Sequence, residues 1–133
     1  MGVLSENDNQ LNFFYYSEHK LSKEALAYAE ASDAKLRAID IGKSKITGTQ
    51  WVTLAEMLNK KVVDFLEKEH PVFREKFDKF SDVGTEDAIK ILQNHPEVLV
   101  YPIATRGKKA IQVKMMTDIL KLHNSDSRNA PNE

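Results

Sequence analysis

The stretch from Leu11 to Ile41 does most to limit what this chain can fold into. Leu11-Asn12-Phe13-Phe14-Tyr15-Tyr16 is an aromatic-rich run that favours a strand. After the polar Ser17-Glu18-His19-Lys20, the apolar residues Leu21, Ala25, Leu26 and Ala29 fall on one face of a helix running to Glu30. Lys35-Leu36-Arg37-Ala38-Ile39-Asp40-Ile41 alternates as a second strand, and a polar connector follows from Gly42 to Gly48. A strand, helix, strand unit is nearly always right-handed and makes its two strands parallel neighbours in one sheet. Its first loop then lies at the carboxyl end of the first strand, where the N–H groups and dipole of the helix N-terminus favour an anion or a thiolate. That loop offers His19, Lys20 and Ser22, and no cysteine.

The remaining pattern alternates between helical and extended segments. Thr47-Gly48-Thr49-Gln50 has the spacing of a capping box, and Trp51, Leu54, Ala55 and Leu58 follow at helical intervals. Asn59-Lys60-Lys61 interrupts that stripe before Val62-Val63-Asp64-Phe65-Leu66 resumes it as a further helix. His70-Pro71 marks another break, since proline disfavours helix in the residue before it, and Phe73, Phe77 and Phe80 suggest a short helix over 72–80. Thr85 is a candidate cap for a helix with Glu86 and Asp87 in its first turn, ending at Asn94 to Pro96. Val98 to Arg106 reads as one strand and Ala110 to Val113 as another, separated by Gly107-Lys108-Lys109 as an antiparallel hairpin. Thr117 then opens a final helix through Leu122. The expected core includes Trp51, Phe65, Phe73, Phe77 and Phe80, because aromatic stripes at helical spacing are usually buried.

Composition sets outer limits on function. At 133 residues the chain fits a single domain, expected over 11–122, with an extension over 1–10 and a loose polar tail over 123–133. Nineteen basic and twenty acidic residues leave a net charge of -1, which gives no electrostatic case for nucleic acid or a membrane surface as partner. With no cysteine, the chain has no disulfide, thiolate metal site or thiol nucleophile. The first ten residues lack the basic and apolar regions of a signal peptide, and no stretch approaches the ~18 apolar residues of a spanning helix, so a soluble cytoplasmic protein is expected. His70, His95 and His123 share no ligand spacing, so no metal site is expected. Arg106, Lys108 and Lys109 form a small basic turn, of a kind that is normally solvated.

The element order, βαβ then helices then ββα with a proline starting the third strand, resembles the α/β thioredoxin-like fold. The details resemble the arsenate reductase (ArsC) and Spx-like family within that glutaredoxin-related superfamily. The residues that carry the resemblance are 14–29, the Asp40-Ile41 strand end, the 47–58 helix, Asp64-Phe65-Leu66-Glu67-Lys68, and above all Asn94-His95-Pro96-Glu97-Val98-Leu99-Val100-Tyr101-Pro102-Ile103 with Arg106-Gly107-Lys108. The last stretch looks like the family signature NP-x-L-x-x-x-PI-x-x-x-G. The resemblance implies a four-stranded mixed sheet with the first strand inside, a helical insertion over about 50–95, and a cis proline at Pro102 facing the first loop.

It also implies what is missing. Placing Ser22-Lys23 on the family's Ser-Arg pair puts His19 where the nucleophilic cysteine belongs, and imidazole cannot form an arseno-thiol adduct or a mixed disulfide. The family's oxyanion-holding arginines fall at Lys23, near Glu67 and at Tyr101, so only Lys23 keeps a positive charge. No catalytic residue is therefore assigned. The expected function is a catalytically silent, pseudoenzyme-like binding or regulatory module, with a groove formed by His19, Lys20, Ser22, Lys23, Tyr101, Pro102 and Arg106. An unidentified protein is its expected partner, since Spx-like relatives act by binding RNA polymerase. The alternative is a glutathione- or small-anion-binding member, or an enzyme using non-thiol chemistry. For Pro102 taken without the resemblance, a plain strand start is the simpler reading, because only ~5% of X–Pro bonds are cis. His19 by itself reads most simply as an ordinary loop residue.

Overall fold

The computed structural model describes residues 9–32, 35–77 and 82–123. Four strands, β1 (Gln10–Tyr15), β2 (Lys35–Asp40), β3 (Ile103–Arg106) and β4 (Lys109–Gln112), form one sheet in the order β2-β1-β3-β4. β1 pairs parallel with β2 and antiparallel with β3, and β3 pairs antiparallel with β4, so the sheet is mixed and β1 is interior, as expected. The helices are α1 (Lys20–Glu30), α2 (Gly48–Met57), α3 (Pro71–Lys76) and α4 (Thr85–Asn94), with 3-10 turns at Val62–Phe65, Pro96–Val98 and Met116–Leu122. Among the described residues no helix is long and apolar enough to cross a membrane.

β1 is covered on both faces, which is why its sequence reads as a nearly continuous apolar run. Leu11 and Phe13 pack with Ala104 against Ala25 and Ala29 of α1 and against Ile119 and Leu122. Phe14 turns the other way, joining Ile103, Trp51, Leu54, Phe65, Ile91 and Leu92. The period of two thus divides one strand between two cores. Asn12 shares the Phe14 face, where its buried amide donates to the Thr105 hydroxyl at 3.1 Å, so the one polar residue inside β1 still satisfies a donor. Trp51, Phe65 and Phe73 are buried and Phe77 is half-buried against them. Phe80 lies outside the described residues, as does 124–133 of the tail.

Local chemistry accounts for several element ends. The capping box at α2 is present: the Gln50 amide donates to the Thr47 hydroxyl at 3.1 Å and the Thr47 amide to the Gln50 side-chain carbonyl at 3.0 Å. α2 stops because Asn59 adopts φ 56°, and the Lys60 amide reaches back to the Ala55 carbonyl at 2.8 Å. Gly107, at φ 61°, is the first of the two residues turning β3 into β4, a position in mirror-image hairpin turns that requires positive φ.

Four expectations need correction. Val62–Phe65 is a 3-10 turn rather than a resumed helix, because the chain has just left α2 by a left-handed residue. The final segment Met116–Leu122 is likewise a 3-10 turn. Gly84 rather than Thr85 occupies the cap position of α4. The strand expected from 98 begins only at Ile103: Pro102 has no N–H to give the ladder, and Leu99 instead forms an isolated antiparallel bridge with Leu66.

Candidate functional site

β1 ends at Tyr15, and the chain turns through 16–19 into α1. The His19 amide donates to the Tyr16 carbonyl at 3.0 Å, which closes the turn. His19 then stands at the cap position of α1 with extended backbone, φ -84° and ψ 133°, and its side chain makes no capping hydrogen bond. Its ring packs edge-on against Tyr16 at a centroid distance of 5.0 Å. Unlike Ser or Asp at such a position, the imidazole set edge-on to Tyr16 leaves the first-turn amides without a side-chain acceptor.

The loop is held from below by Asp40, the last residue of β2. Its Oδ1 accepts from the Ser17 amide at 3.3 Å and the Gly42 amide at 3.0 Å, and the Ser17 hydroxyl donates to the same carboxylate. The Ile41 amide reaches the Tyr15 carbonyl at 2.8 Å, so the ends of the two parallel strands are stitched together. Burial pushes the Asp40 carboxyl up, but the Ser17 hydroxyl, the two amides and nearby Lys43 outweigh it and hold the group below its ordinary value. Gly42 sits so close that a Cβ there would come within 2.9 Å of the Tyr16 ring.

The other expected site residues divide into two sets. Lys20 and Lys23 are exposed on the first turns of α1, with Lys20 in a loose ion pair with Glu24 at 4.0 Å. Ser22 is fully buried and its hydroxyl has no partner among the described residues. On the opposite strand, β1 and β3 pair Phe14 with Ile103 as the last pair of their ladder, two residues from Tyr101. Loop and proline segment therefore share the carboxyl end of β1. Lys114, just beyond β4, adds its ammonium 5.7 Å from the centre of the Tyr101 ring.

Arg106 does not belong with them. It ends β3 at the other end of the sheet, is 2% exposed, and donates to the Leu122 carbonyl at 3.0 Å and the His123 carbonyl at 2.7 Å. The expected solvated basic turn and groove residue is thus a buried clamp on the C-terminal 3-10 turn. His123, expected in a loose tail, places its Nε2 3.0 Å from the Tyr28 carbonyl beside that clamp.

Pro102 also departs from expectation. No peptide bond among the described residues is cis, so Tyr101–Pro102 is trans. Nor is the strip before it a free edge: the Val100 amide donates to the Phe65 carbonyl at 2.8 Å, and the Glu67 amide to the Val98 carbonyl at 2.7 Å. The Pro102 carbonyl accepts from the Val113 amide at 2.8 Å. The residues at 65–67 therefore occupy backbone groups along 98–100 that a docking peptide would otherwise pair with as an added strand.

Sequence reasoning missed the acidic side of the loop. His95 Nδ1 lies 3.5 Å from the Glu97 carboxylate, and the Tyr16 phenol is pushed up by burial and then by the charges of Glu97, Glu18 and Asp40. The signal available was the start of the Pro96–Val98 turn, which aims Glu97 back at the β1 end.

No family model matches the sequence, and no curated protein matches it. The likeness is structural. An arsenate reductase from Vibrio cholerae superposes with a TM-score of 0.71 at 16% identity, over 87% of this chain and 99% of the other. A candidate arsenate reductase from Yersinia pestis gives 0.72 at 12% identity, over 84% and 98%. A possible arsenate reductase from Streptococcus mutans UA159 gives 0.64 at 18% identity, over 84% and 97%. The chain has the thioredoxin-like fold of these proteins, nearly end to end for each of them.

Proposed function

We propose that this chain is a catalytically silent form of the arsenate reductase fold that works as a soluble cytoplasmic protein-binding or regulatory module. Its surface is the one between the 16–23 loop and Tyr101. The observation that carries this reading is the residue opening α1: the position suited to a reactive thiolate is His19, and the chain has no cysteine to replace it. Arsenate reduction of the thiol-dependent kind needs a sulfur nucleophile that forms an adduct and then a disulfide, and imidazole can do neither. Lys23 is exposed, Glu67 is an exposed carboxylate, and Arg106 is engaged at the far end of the sheet. None of the three positions where the family's arginines fall therefore carries a guanidinium to hold a tetrahedral oxyanion bidentately.

With the chemistry gone, the architecture that presents the loop is still complete. Asp40 fixes the turn and Phe14 fixes the register of the Tyr101 segment. The trans bond and the 65–67 pairing remove strand addition along 98–100 as the docking mode, so docking depends on side chains of the loop and on Tyr101. A second reading has one observation in its favour: α1 opens with no side-chain cap, beside Lys20 and Lys23, so a small anion or glutathione carboxylate could take the first-turn amides.

Affinity capture from lysate by wild-type protein and by Tyr101→Ala and Pro102→Ala, each checked for retained fold, tests the module reading. A partner held by wild type and weakened about tenfold or more by Tyr101→Ala is the expected result. Binding unchanged in both variants would move the surface elsewhere, with the 50–95 helices the next to test. Thermal unfolding with saturating arsenate, phosphate or glutathione tests the second reading: it requires a rise in Tm of several degrees, since a ligand at 100 times its Kd stabilises by about 2.7 kcal/mol. Arsenate-dependent turnover by tag-free protein would overturn catalytic silence.

A further inference from the structure

Among the described residues three large hydrophobic side chains are exposed, Met115 at 60%, Met116 at 38% and Leu120 at 47%, and they lie within one short stretch of chain. That stretch is continuous with the loop end of the sheet. The Val113 amide is bound to the Pro102 carbonyl, and Lys114 lies over the Tyr101 ring. The turn Met116–Leu122 then packs against α1, with Ile119 and Leu122 meeting Ala25 and Ala29. His123 reaches Tyr28 near the end of α1, so the turn follows α1 toward the Tyr28 end, and Met115 and Met116 stand at its start, next to Lys114 over Tyr101.

The charges around this apolar patch are unequal. Asp118 is used up locally: burial pushes its carboxyl up, but the Met115 and Lys114 amides and the Lys121 ammonium hold it below the ordinary value. Glu24 faces Lys20. Glu18 and Glu97 act on the Tyr16 side of the loop. Lys114 is exposed, and among the described residues its ammonium has only the ring of Tyr101. The patch therefore presents methionines beside a cation that no carboxylate neutralises, on a chain whose net charge is -1.

We infer that this surface docks an acidic amphipathic segment of another protein, with apolar side chains on Met115, Met116 and Leu120 and carboxylates toward Lys114. The inference rests on the module reading above and names the chemistry of its partner. Methionine suits the role, because its unbranched polarizable side chain repacks around varied apolar partners. A membrane surface is the poorer occupant: binding there scales with buried apolar area and with positive charge, and this patch has three apolar side chains on a slightly acidic protein.

The test is panning of a random peptide library, about four helical turns in length, against the full chain and against a Met115→Ser/Met116→Ser variant whose unfolding curve matches wild type. Expected is enrichment of acidic peptides with apolar residues at helical spacing. These should bind the double variant, and separately Lys114→Glu, about tenfold more weakly, and bind wild type less as salt rises. Enrichment of neutral or basic peptides, no enrichment, or equal binding to the methionine variant would overturn the inference. Acidic peptides lost with Tyr101→Ala but kept by the methionine variant would overturn it while leaving the module reading in place. Co-sedimentation with equimolar phosphatidylcholine–phosphatidylserine vesicles, lost in the methionine variant, would assign the patch to lipid and overturn it too.

Discussion

The two ends of the sheet are built on opposite plans. At the amino end of β1 a buried cation, Arg106, reaches inward to two main-chain carbonyls, and the His123 imidazole adds a contact to α1. At the carboxyl end a buried anion, Asp40, reaches inward to main-chain amides, and the side chains above it, His19, Lys20 and Lys23, have among the described residues no partner except Glu24 and the Tyr16 ring. Both devices satisfy backbone groups that regular pairing leaves over. The difference is what each leaves on the surface: the Arg106 end is consumed in holding the chain together, whereas the Asp40 end holds its backbone from beneath and leaves its side chains free for other uses.

Mutations can break or sharpen this contrast. The largest effect is expected from Arg106→Ala, which deletes a large, 2%-exposed side chain and strips two carbonyls of their donor. Cavity formation and unmet acceptors together should cost about 3 kcal/mol by chemical denaturation. A loss below about 1 kcal/mol, the size of an ordinary surface change, would mean the clamp is dispensable. Arg106→Lys should recover part of the loss, because both bonds leave one nitrogen, Nη1, and an ammonium can also donate twice.

Asp40→Asn should cost less, about 1–2 kcal/mol, since the amide oxygen can still accept from Gly42 but loses the strength of a charged acceptor. Its signature is in pH. The Asp40 carboxyl is held below its ordinary 3.8, so its stabilisation is fully present above that value and is lost as pH falls through its lower folded value. Wild type should therefore lose stability on acidification more steeply than Asp40→Asn. Parallel curves below pH 4 would show that another carboxylate dominates, with Asp118, also depressed, the first candidate.

The smallest effect is expected at His19. His19→Ala removes a half-buried ring and its contact with Tyr16, but no hydrogen bond or cap, so stability should change by no more than about 0.5 kcal/mol. A larger loss would make His19 part of the scaffold and erase the contrast between the two ends.

How much of this could be read from the sequence follows from the range of the interactions involved. The strand, helix, strand order over 10–40, the capping box at Thr47 and the hairpin at Gly107 are local, and each rests on residues a few positions apart. The interior place of β1 followed from the likeness of the element order to the thioredoxin-like fold, and its aromatic run suits a strand covered on both faces. The failures share a cause. Arg106 looks like part of a surface turn when only Gly107 and Lys108 are in view, and becomes a clamp only when residue 122, 16 positions away, folds back over it. The strip at 98–100 looks like a free edge until 65–67 pairs with it.

By itself, then, the sequence determined that no thiol chemistry is available and that an apolar strand runs into a helix through a loop bearing His19 and two lysines, because residue identity and short-range periodicity suffice for both. Tertiary structure alone decided that Arg106 and Tyr101 belong to opposite ends, that Pro102 is trans and backed by a neighbouring segment, and that Lys114, next to the exposed methionines, lies over Tyr101. Those outcomes depend on contacts between distant residues, which form only when the sheet closes and which local pattern does not encode.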